Sequence, residues 1–253
     1  MSVTAALKEH YTNYYSGDQS LSHWRRLGAI DKARNIMELC ASLSHDKILE
    51  IGCGDGAVLE QLSAKAFGSQ LAGIEISRSA VCSAQQKQIP NCQIDCFDGD
   101  SIPFEDQIFD LAILTHVLEH VEHPRKVLYE AARVAKCVFI EVPLEDNATL
   151  PDDYVFDPVG HINFYSPRSI RQLVQTCGFH ILSTKIMHSS LSLYLYRKGA
   201  VKGRFTYLVK DIALKCSLEL STKIWTYHSA LVFSRITTAK DGKFEKIDAG
   251  TPT

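Results

Sequence analysis

The chain has 253 residues, of which 45% are hydrophobic, and a formal net charge of −2. That size is sufficient for one α/β domain with additional elements, and no internal repeat or low-complexity tract divides the sequence. No run reaches the roughly 18 apolar residues of a membrane span, and the N-terminal segment lacks the apolar core of a signal peptide. The eight cysteines stand singly, so we expect reduced thiols and a cytoplasmic location.

Strand and helix patterns alternate along the chain. An N-terminal helical region has one apolar face, formed by Ile30, Ala33, Met37 and Cys40. Strands are predicted at residues 47–52, 70–76, 93–97, 109–115, 137–142, 180–187 and 229–236. Helices are predicted between them, including residues 124–135 and a helix that begins at Ser166 and ends before Gly178. This alternation predicts a parallel sheet with helices on both faces and a ligand site at the carboxyl ends of its strands.

The most informative local pattern lies at residues 48–59, which read Ile-Leu-Glu-Ile-Gly-Cys-Gly-Asp-Gly-Ala-Val-Leu. A buried strand ends at three alternating glycines, and a helical pattern follows directly. Glycines at such a bend let the backbone approach a ligand, while the helix N-terminus offers free N–H groups. The pattern therefore predicts a site for a nucleotide-like cofactor.

Two cofactors fit a glycine turn of this kind. The dinucleotide fingerprint is Gly-x-Gly-x-x-Gly, with an acidic residue about 20 positions further on. Here the third glycine comes one position early, and Glu50 stands within the preceding strand. Glu75, at the end of the second strand, suits the ribose of either cofactor. The glycines alone leave the choice open.

The segment from Phe97 to Val121 decides between the two cofactors. It reads Phe-Asp-Gly-Asp-Ser-Ile-Pro-Phe-Glu-Asp-Gln-Ile-Phe-Asp-Leu-Ala-Ile-Leu-Thr-His-Val-Leu-Glu-His-Val. Together with Leu-Glu-Ile-Gly-Cys-Gly-Asp-Gly upstream, it resembles the class I S-adenosylmethionine-dependent methyltransferases, nearest the group that acts on small molecules. The resemblance continues in Gly-His-Ile-Asn-Phe-Tyr-Ser-Pro (160–167) and Cys-Gly-Phe (177–179), and covers about residues 46–187. One departure is Cys137, where many relatives have a proline–glycine turn.

The resemblance implies one Rossmann-like domain with a seven-stranded, mostly parallel sheet and an antiparallel last strand. Around the core (46–190) we expect an N-terminal helical lid (1–45), an inserted helix (197–225), the last strand (229–237) and a flexible tail (239–253). The implied methyl donor is S-adenosyl-L-methionine, released as S-adenosyl-L-homocysteine. The residues expected to bind it are Glu50, Gly52, Cys53, Gly54, Glu75, Ile76, Asp98, Gly99, Thr115 and His116.

Individual roles within that set follow from side-chain chemistry and position in the family pattern. Glu75 would accept both ribose hydroxyls, because a carboxylate has two acceptor oxygens. Asp98, rather than Asp100, would accept from the adenine amine, with the Gly99 N–H facing a ring nitrogen. For Glu50 two roles stay open: it orders the glycine turn, or it meets the ammonium of the methionine moiety.

Three histidines follow the fourth and fifth strands. His116 ends strand four, beside the expected position of the transferred methyl, and His161 lies on a loop that reaches over the cofactor in relatives. Either imidazole can take a proton from an acceptor hydroxyl, because histidine titrates near neutral pH. The alternative is that both only shape the pocket, since methyl transfer requires an aligned nucleophile more than a base. His120 is expected to structure its loop.

The long connection from residue 143 to 166 is acidic and aromatic. Its carboxylates (Glu145, Asp146, Asp152, Asp153 and Asp157) are read first as solvated loop charge and second as a site for a cationic amine or a metal. No cysteine or histidine cluster has the sequence spacing of metal ligands, so no metal is predicted. Aromatic residues that would line an acceptor pocket are Phe156, Phe164 and Tyr165, with Tyr11, Tyr14, Tyr15 and Trp24 from the lid.

Residues 197–223 form a basic segment with a local net charge of +5. An apolar helical stripe runs through it, formed by Phe205, Leu208, Val209, Ile212, Ala213 and Cys216. We expect this stripe to pack on the domain as a lid or to form a homodimer contact, with a membrane surface or an anionic partner as the alternative. Nucleic acid is not an expected partner, because the rest of the chain is acidic.

The sequence thus predicts an enzyme that transfers a methyl group to oxygen or nitrogen of a small molecule, such as a sugar or a secondary metabolite. The alternative is a cofactor-binding partner subunit that has lost catalysis. A nicotinamide-dependent dehydrogenase ranks third, because its glycine spacing differs.

Overall fold

Seven strands form one sheet in the computed structural model, which describes residues 19–154 and 160–235. The strand order is β3-β2-β1-β4-β5-β7-β6. The strands are β1 (Lys47–Ile51), β2 (Gln70–Glu75), β3 (Cys92–Cys96), β4 (Phe109–Thr115), β5 (Ala135–Leu144), β6 (Phe179–Met187) and β7 (Tyr227–Arg235). Neighbouring strands from β3 to β5 pair in parallel, while β7 runs antiparallel to both β5 and β6. The predicted Rossmann-like sheet with an antiparallel last strand is confirmed.

Helices cover both faces of the sheet. They are α1 (Gln19–Cys40), α2 (Ala57–Ala64), α3 (Arg78–Gln86), α4 (Pro124–Val134), α5 (Pro167–Thr176), α6 (Leu191–Lys198), α7 (Ala200–Cys216) and α8 (Leu218–Ile224). The single inserted helix expected over residues 197–225 is therefore divided. Gly199, at a φ of 76°, separates α6 from α7, and the Ser217 side chain caps the start of α8. Within the described residues, no helix is long and apolar enough to span a bilayer.

The central strands supply the core. Every residue of β4 is buried, as expected for a parallel strand covered on both faces. Alternate side chains point to opposite faces, so that Leu114 and Ile140 join one apolar cluster while Ile113 and Phe139 join the other. The carboxyl ends of β1, β2, β4 and β5 consequently lie at one edge of a rigid layer.

The buried face of α1 is one position away from the predicted one. Ala29, Ala33, Ile36 and Cys40 are buried, whereas Ile30 is 42% exposed. Those buried residues follow the i, i+4, i+7, i+11 spacing of one helical stripe, which Ile30 does not share. The expected tyrosines at 11, 14 and 15 and the expected tail after 239 lie outside the described residues.

The apolar stripe of α7 does not pack on the domain. Phe205 is 69% exposed, Leu208 54% and Ile212 50%, so the prediction of a packed lid is wrong for these side chains. The opposite face makes the contact instead. A Cβ placed on Gly203 would lie 2.6 Å from the Tyr194 carbonyl oxygen, so α7 meets α6 at backbone distance.

Candidate active site

A cavity of about 460 Å³ opens at the carboxyl ends of β1, β2, β4 and β5. Its walls include the glycine turn after β1, the loop after β4 and residues of α1 such as Trp24 and Lys32. Because β7 runs antiparallel, its first residues lie beside the last residues of β5 and also reach the cavity. The volume is typical of ligand pockets, and the position is the usual one in an open α/β sheet.

The glycine turn requires its glycines. Gly52, Gly54 and Gly56 all have positive φ values, of 73°, 54° and 71°. A Cβ on Gly52 would also lie 2.8 Å from Cγ2 of Val117, in the loop after β4. An L side chain at Gly52 is therefore excluded both by conformation and by space, and the bare backbone of the turn forms part of the cavity wall.

Glu75 joins the glycine turn to the end of β2. Its Oε2 atom accepts from the Gly54 N–H at 3.0 Å, and its Oε1 atom accepts from the N–H groups of Ile76 and Ser77 at 2.8 and 2.9 Å. Burial raises the pKa of this carboxyl group, and the three backbone donors oppose that rise. A carboxylate has roughly four acceptor positions, so about one stays available on Oε2. The expected acceptance of the ribose hydroxyls by Glu75 stays a prediction.

Glu50 is a buried carboxyl group with an unused oxygen. It is 1% exposed and lines the cavity; Oε1 accepts from the Thr115 hydroxyl at 3.3 Å, while Oε2 has no hydrogen-bond partner. Burial raises the pKa of Glu50 to about 8. Because no backbone N–H of the turn reaches Glu50 among the hydrogen bonds of the described residues, Glu75 and not Glu50 orders the glycine turn.

Two of the ten predicted cofactor residues do not line the cavity. The exposed Asp98 uses its Oδ1 atom to accept from the N–H of Asp100 at 2.7 Å and of Ser101 at 3.4 Å, closing its own turn. Gly99 is buried in the same turn. Phe97, immediately before Asp98, does line the cavity. The remaining eight predicted residues are all part of the cavity wall.

A cluster of histidines and carboxylates also lies at the cavity. His116 has a φ of 58°, which is rare for a residue with a side chain, and its Nδ1 atom lies 3.1 Å from Oε1 of the fully buried Glu119. Its Nε2 atom lies 3.2 Å from Nδ1 of His228 and 3.6 Å from Oε1 of Glu141. Asn35, on α1, donates to the other oxygen of Glu141 at 2.9 Å.

The charges in this cluster shift one another's pKa. For His116, burial lowers the pKa, but the carboxylates of Glu119 and Glu141 outweigh burial and raise it overall. For Glu119, burial raises the pKa, and pairing with His116 brings it down to about 2. Burial and the neighbouring His116 lower the pKa of His228 despite Glu141. Of the two imidazoles, His116 is therefore protonated more readily than His228.

His161 lies in the same cavity and is held by Glu145. Its Nδ1 atom is 2.6 Å from Glu145 Oε2, and the side chain is 11% exposed. Its ring stands edge-on to that of His120, with centroids 4.7 Å apart, and the Nδ1 atom of His120 lies 3.1 Å from the Gly160 carbonyl oxygen. His120 thus anchors the loop that carries His161, in agreement with its expected structural role.

Other parts of the acidic loop are placed elsewhere. Phe164 and Tyr165 line a separate shallow depression beside α5, and Tyr165 donates to the Leu118 carbonyl oxygen. Contrary to expectation, neither side chain lines the cavity. Asp152 and Asp153 are exposed, whereas Phe156 and Asp157 lie outside the described residues. Of the loop carboxylates that the structure describes, Glu145 is the one that lines the cavity.

Sequence reasoning did not single out Glu119, Glu141 or His228. Glu141 carried a readable signal, since it is the only charged residue in the apolar run from Cys137 to Leu144 and a buried charge requires partners. His228 carried none, because it lies just before the predicted last strand (229–236) and no local pattern indicates which residues the start of that strand meets.

Comparison with known proteins then assigns the family. A family model described as a methyltransferase domain matches residues 22–184. The chain therefore belongs to the S-adenosylmethionine-dependent methyltransferases. Among the curated relatives, the norajmaline N-methyltransferase of Rauvolfia serpentina is 34% identical over 93 residues, which make up 35% of this chain and 32% of that enzyme.

Two further relatives extend the comparison. The ubiquinone biosynthesis O-methyltransferase of Coxiella burnetii is 26% identical over 164 residues, 58% of this chain and 69% of that enzyme. The phosphoethanolamine N-methyltransferase 2 of Haemonchus contortus, solved in complex with S-adenosyl-L-methionine, superposes with a TM-score of 0.59 at 16% identity, over 81% of this chain and 52% of that chain. Three other curated relatives are matched over only 38%, 36% and 27% of their lengths, so this chain spans well under half of each of them.

Proposed function

We propose that this methyltransferase-family chain binds S-adenosyl-L-methionine and transfers its methyl group to oxygen or nitrogen of a small molecule. The observation that carries the proposal is the composition of one cavity. The cavity is lined by a glycine turn with two buried carboxyl groups, here called the cofactor end, and by histidines paired with carboxylates, here called the acceptor end. A bound methyl donor and a proton acceptor would thus share one space.

The cofactor end suits the polar groups of S-adenosylmethionine. The partnerless Oε2 atom of Glu50 would receive the ammonium of the methionine moiety, and the open position on Glu75 Oε2 would receive one ribose hydroxyl. Gly52, Cys53, Gly54 and Ile76 would supply backbone contacts, and Phe97 an apolar face for the adenine. Asp98 and Gly99 stay a proposal for the adenine amine and ring nitrogen, and rest on their position directly after β3.

The acceptor end suits removal of a proton during transfer. His161, oriented by Glu145, would take the proton from the acceptor O–H or N–H, and the carboxylate would stabilise the resulting imidazolium. The acceptor lone pair forms the new bond to the methyl carbon while the S–C bond breaks, and neutral S-adenosylhomocysteine leaves. His116 is the second candidate for this proton, and its two ring nitrogens face Glu119, Glu141 and His228. We place His161 first because Glu145 orients its ring within the cavity.

The acceptor class is proposed from the relatives' names and the pocket. An N-methyltransferase and an O-methyltransferase are both among them, so hydroxyl and amine acceptors are equally supported. The carboxylates at this end, Glu141 and Glu145, favour an acceptor that is neutral or cationic over an anionic one. A sugar or a secondary metabolite stays our first choice of acceptor.

The test uses the purified chain with S-adenosylmethionine carrying a tritiated methyl group. Candidate acceptors are a catechol, a hexose and a secondary amine, and release of S-adenosylhomocysteine is measured in parallel. We expect label transfer to at least one acceptor. Micromolar binding of S-adenosylhomocysteine without transfer to any acceptor would favour the catalytically inactive partner subunit. Binding of NAD without S-adenosylhomocysteine would overturn the cofactor assignment.

Two further assignments follow from the surface and the cysteines. We propose that the exposed apolar face of α7 (Val201, Phe205, Leu208 and Ile212) forms a homodimer contact, because such a contiguous patch on a helix is typical of protein interfaces. Sedimentation at micromolar concentration tests this, and Phe205→Glu should abolish any dimer. All eight cysteines are free, which supports a cytoplasmic location. Nucleic acid is not a proposed partner.

A further inference from the structure

We propose that His116, Glu141 and His228 form a binding site for one divalent transition-metal ion, with zinc the best match, at the acceptor end of the cavity. The three side chains come from the end of β4, from β5 and from the start of β7. They lie far apart in sequence, which is why spacing along the chain predicts no metal site. Two histidines and one carboxylate are a donor set that zinc and similar ions prefer.

The distances between the three donor atoms are those of a coordination polyhedron. His116 Nε2 lies 3.2 Å from His228 Nδ1 and 3.6 Å from Glu141 Oε1, and His228 Nδ1 lies 3.4 Å from Glu141 Oε1. In a tetrahedral site with metal–ligand bonds of about 2.0–2.2 Å, ligand atoms are about 3.3–3.6 Å apart. The three atoms therefore need little movement to hold an ion. The two imidazole rings are tilted by 58°, so that their nitrogens converge without stacking.

Two of the three proposed ligands, His116 and Glu141, are oriented by neighbouring side chains. Glu119 Oε1 faces the Nδ1 atom of His116, which directs the lone pair of Nε2 toward the other two donors. Asn35 donates to Glu141 Oε2, which leaves Oε1 for the ion. A carboxylate behind a ligating histidine and a hydrogen bond behind a ligating carboxylate are the arrangement that fixes ligands in metal sites.

The backbone at the site is also held in an uncommon conformation. His116 has a φ of 58°, and its N–H donates to the Glu141 carbonyl oxygen at 2.9 Å. This hydrogen bond ties the ligand-bearing ends of β4 and β5 together. Left-handed conformations of residues with side chains cost energy and cluster at functional sites, where the surrounding structure imposes them.

A second group, Glu119, His120 and His161, is a weaker candidate. Its donor atoms lie within 4.8 Å of one another, but His120 Nε2 is 4.0 Å from Glu119 Oε1, longer than the edge of a tetrahedral site. Its three members also have other partners, because His161 faces Glu145, Glu119 faces His116 and the Nδ1 atom of His120 faces the Gly160 carbonyl oxygen. Within the described residues, the donors of His116, Glu141 and His228 are the better arranged.

An ion bound here would have an open coordination position. All three proposed ligands line the cavity, so a small-molecule hydroxyl in the cavity can reach the ion directly. Zinc coordination lowers the pKa of a bound hydroxyl or water, which would assist deprotonation of the acceptor. This role rests on the proposed methyl transfer, whereas the binding of the ion does not. His116 would then act as a ligand, and His161 would be the base.

The test is metal binding to the full chain, freed of metal by chelation and dialysed. Titration with Zn²⁺ in a calorimeter should give one site with micromolar or tighter affinity. His228→Gln and Glu141→Gln should each weaken binding at least about 100-fold, and Asn35→Ala by about 10- to 100-fold. His180→Gln, at an exposed position on β6, and His161→Gln serve as controls and should retain binding. Circular dichroism and thermal melts establish that each variant is folded.

Wild-type protein provides a second measurement that needs no variant. Co²⁺ in a tetrahedral site absorbs visible light far more strongly than octahedral Co²⁺, so one equivalent should give an intense band that Zn²⁺ abolishes. Loss of zinc affinity in His161→Gln but not in His228→Gln would overturn the proposal in favour of the second group. Binding no tighter than millimolar, or equal in all variants, would overturn it outright. Because neither readout uses turnover, failure of the metal site and failure of the methyl-transfer assignment are distinguishable.

Discussion

The Nδ1 atom of His161 lies 2.6 Å from Oε2 of Glu145, and both residues line the cavity next to His120. A carboxylate on one ring nitrogen fixes the orientation and the tautomer of an imidazole and stabilises its protonated form. We propose that these two side chains of the loop after β5 act as one acid–base unit, although 16 positions separate them in sequence.

His161→Ala is expected to lower turnover by about 10²- to 10⁴-fold, the usual contribution of a general base. Affinity for S-adenosylhomocysteine should stay within about twofold, because the residue is assigned to the acceptor. Stopped assays with an acceptor that receives the labelled methyl group measure turnover, and calorimetry measures the affinity for S-adenosylhomocysteine.

Glu145→Gln serves as a second probe of the same unit, and His180→Ala as a matched control. The neutral amide cannot stabilise an imidazolium, so turnover should fall while cofactor affinity is retained. The control removes an exposed imidazole on β6 and should change neither turnover nor cofactor affinity. A parallel fall of cofactor affinity and turnover in His161→Ala would make His161 a structural residue of the cofactor pocket.

Binding of S-adenosylhomocysteine is expected to release a proton from Glu50. Burial raises the pKa of Glu50 to about 8, so the free protein holds the carboxyl group protonated at pH 7. A cationic amine at Oε2 favours the ionised form and expels that proton. Affinity should therefore increase as pH rises toward 8. Calorimetry in buffers of different ionisation enthalpy counts the protons, and Glu50→Gln should reduce the release; equal release in that variant would contradict the assignment.

The raised pKa of Glu50 also makes the stability of the folded state depend on pH. The folded pKa of Glu50 is above its unfolded value, so the folded state binds more protons between pH 4.5 and 8. This carboxyl group therefore costs stability progressively as pH rises through that window. Glu50→Gln should be more stable relative to wild type at pH 8 than at pH 5, as measured by urea unfolding at both values.

Glu75 is expected to serve both the turn and the cofactor. Glu75→Ala removes the acceptor for three backbone N–H groups and should weaken S-adenosylhomocysteine binding at least about tenfold, since a charge-assisted hydrogen bond contributes about 1.5–3 kcal/mol. It should also lower the melting temperature. Glu60→Gln, on the exposed face of α2 near Lys87, is the control and should alter neither. Wild-type affinity in Glu75→Ala would refute the ribose assignment.

Two helical glycines should respond to alanine with opposite signs. A Cβ on Gly28, within α1, meets nothing within 4 Å, so Gly28→Ala should stabilise the fold by about 0.5–1 kcal/mol through reduced unfolded-state entropy. A Cβ on Gly203 meets the Tyr194 backbone at 2.6 Å, so Gly203→Ala should destabilise by about 1–3 kcal/mol as α6 and α7 separate. Urea unfolding of both variants measures the difference, and equal effects would contradict the close packing of these helices.

The apolar runs and the glycine turn by themselves determined most of the fold. Each predicted strand agrees with the structure to within two residues at either end, because buried parallel strands such as β4 are continuous apolar runs that few other structures tolerate. The glycine turn also placed Glu50 and Glu75 beside it, because the carboxyl ends of adjacent parallel strands meet at one edge. Both are local consequences of chain geometry.

Only the tertiary structure decided which polar residues work together. His116, Glu141 and His228 meet because β7 enters the sheet antiparallel between β5 and β6, a long-range pairing that no local pattern encodes. Two other features also depend on how separate segments pack: His161 contacts Glu145, and α7 leaves its apolar stripe exposed. Whether a side chain is buried, and which groups it contacts, depends on residues that are distant in sequence. The chain thus predicts its strands and its glycine turn, whereas His116, Glu141 and His228 meet only when β7 pairs with β5.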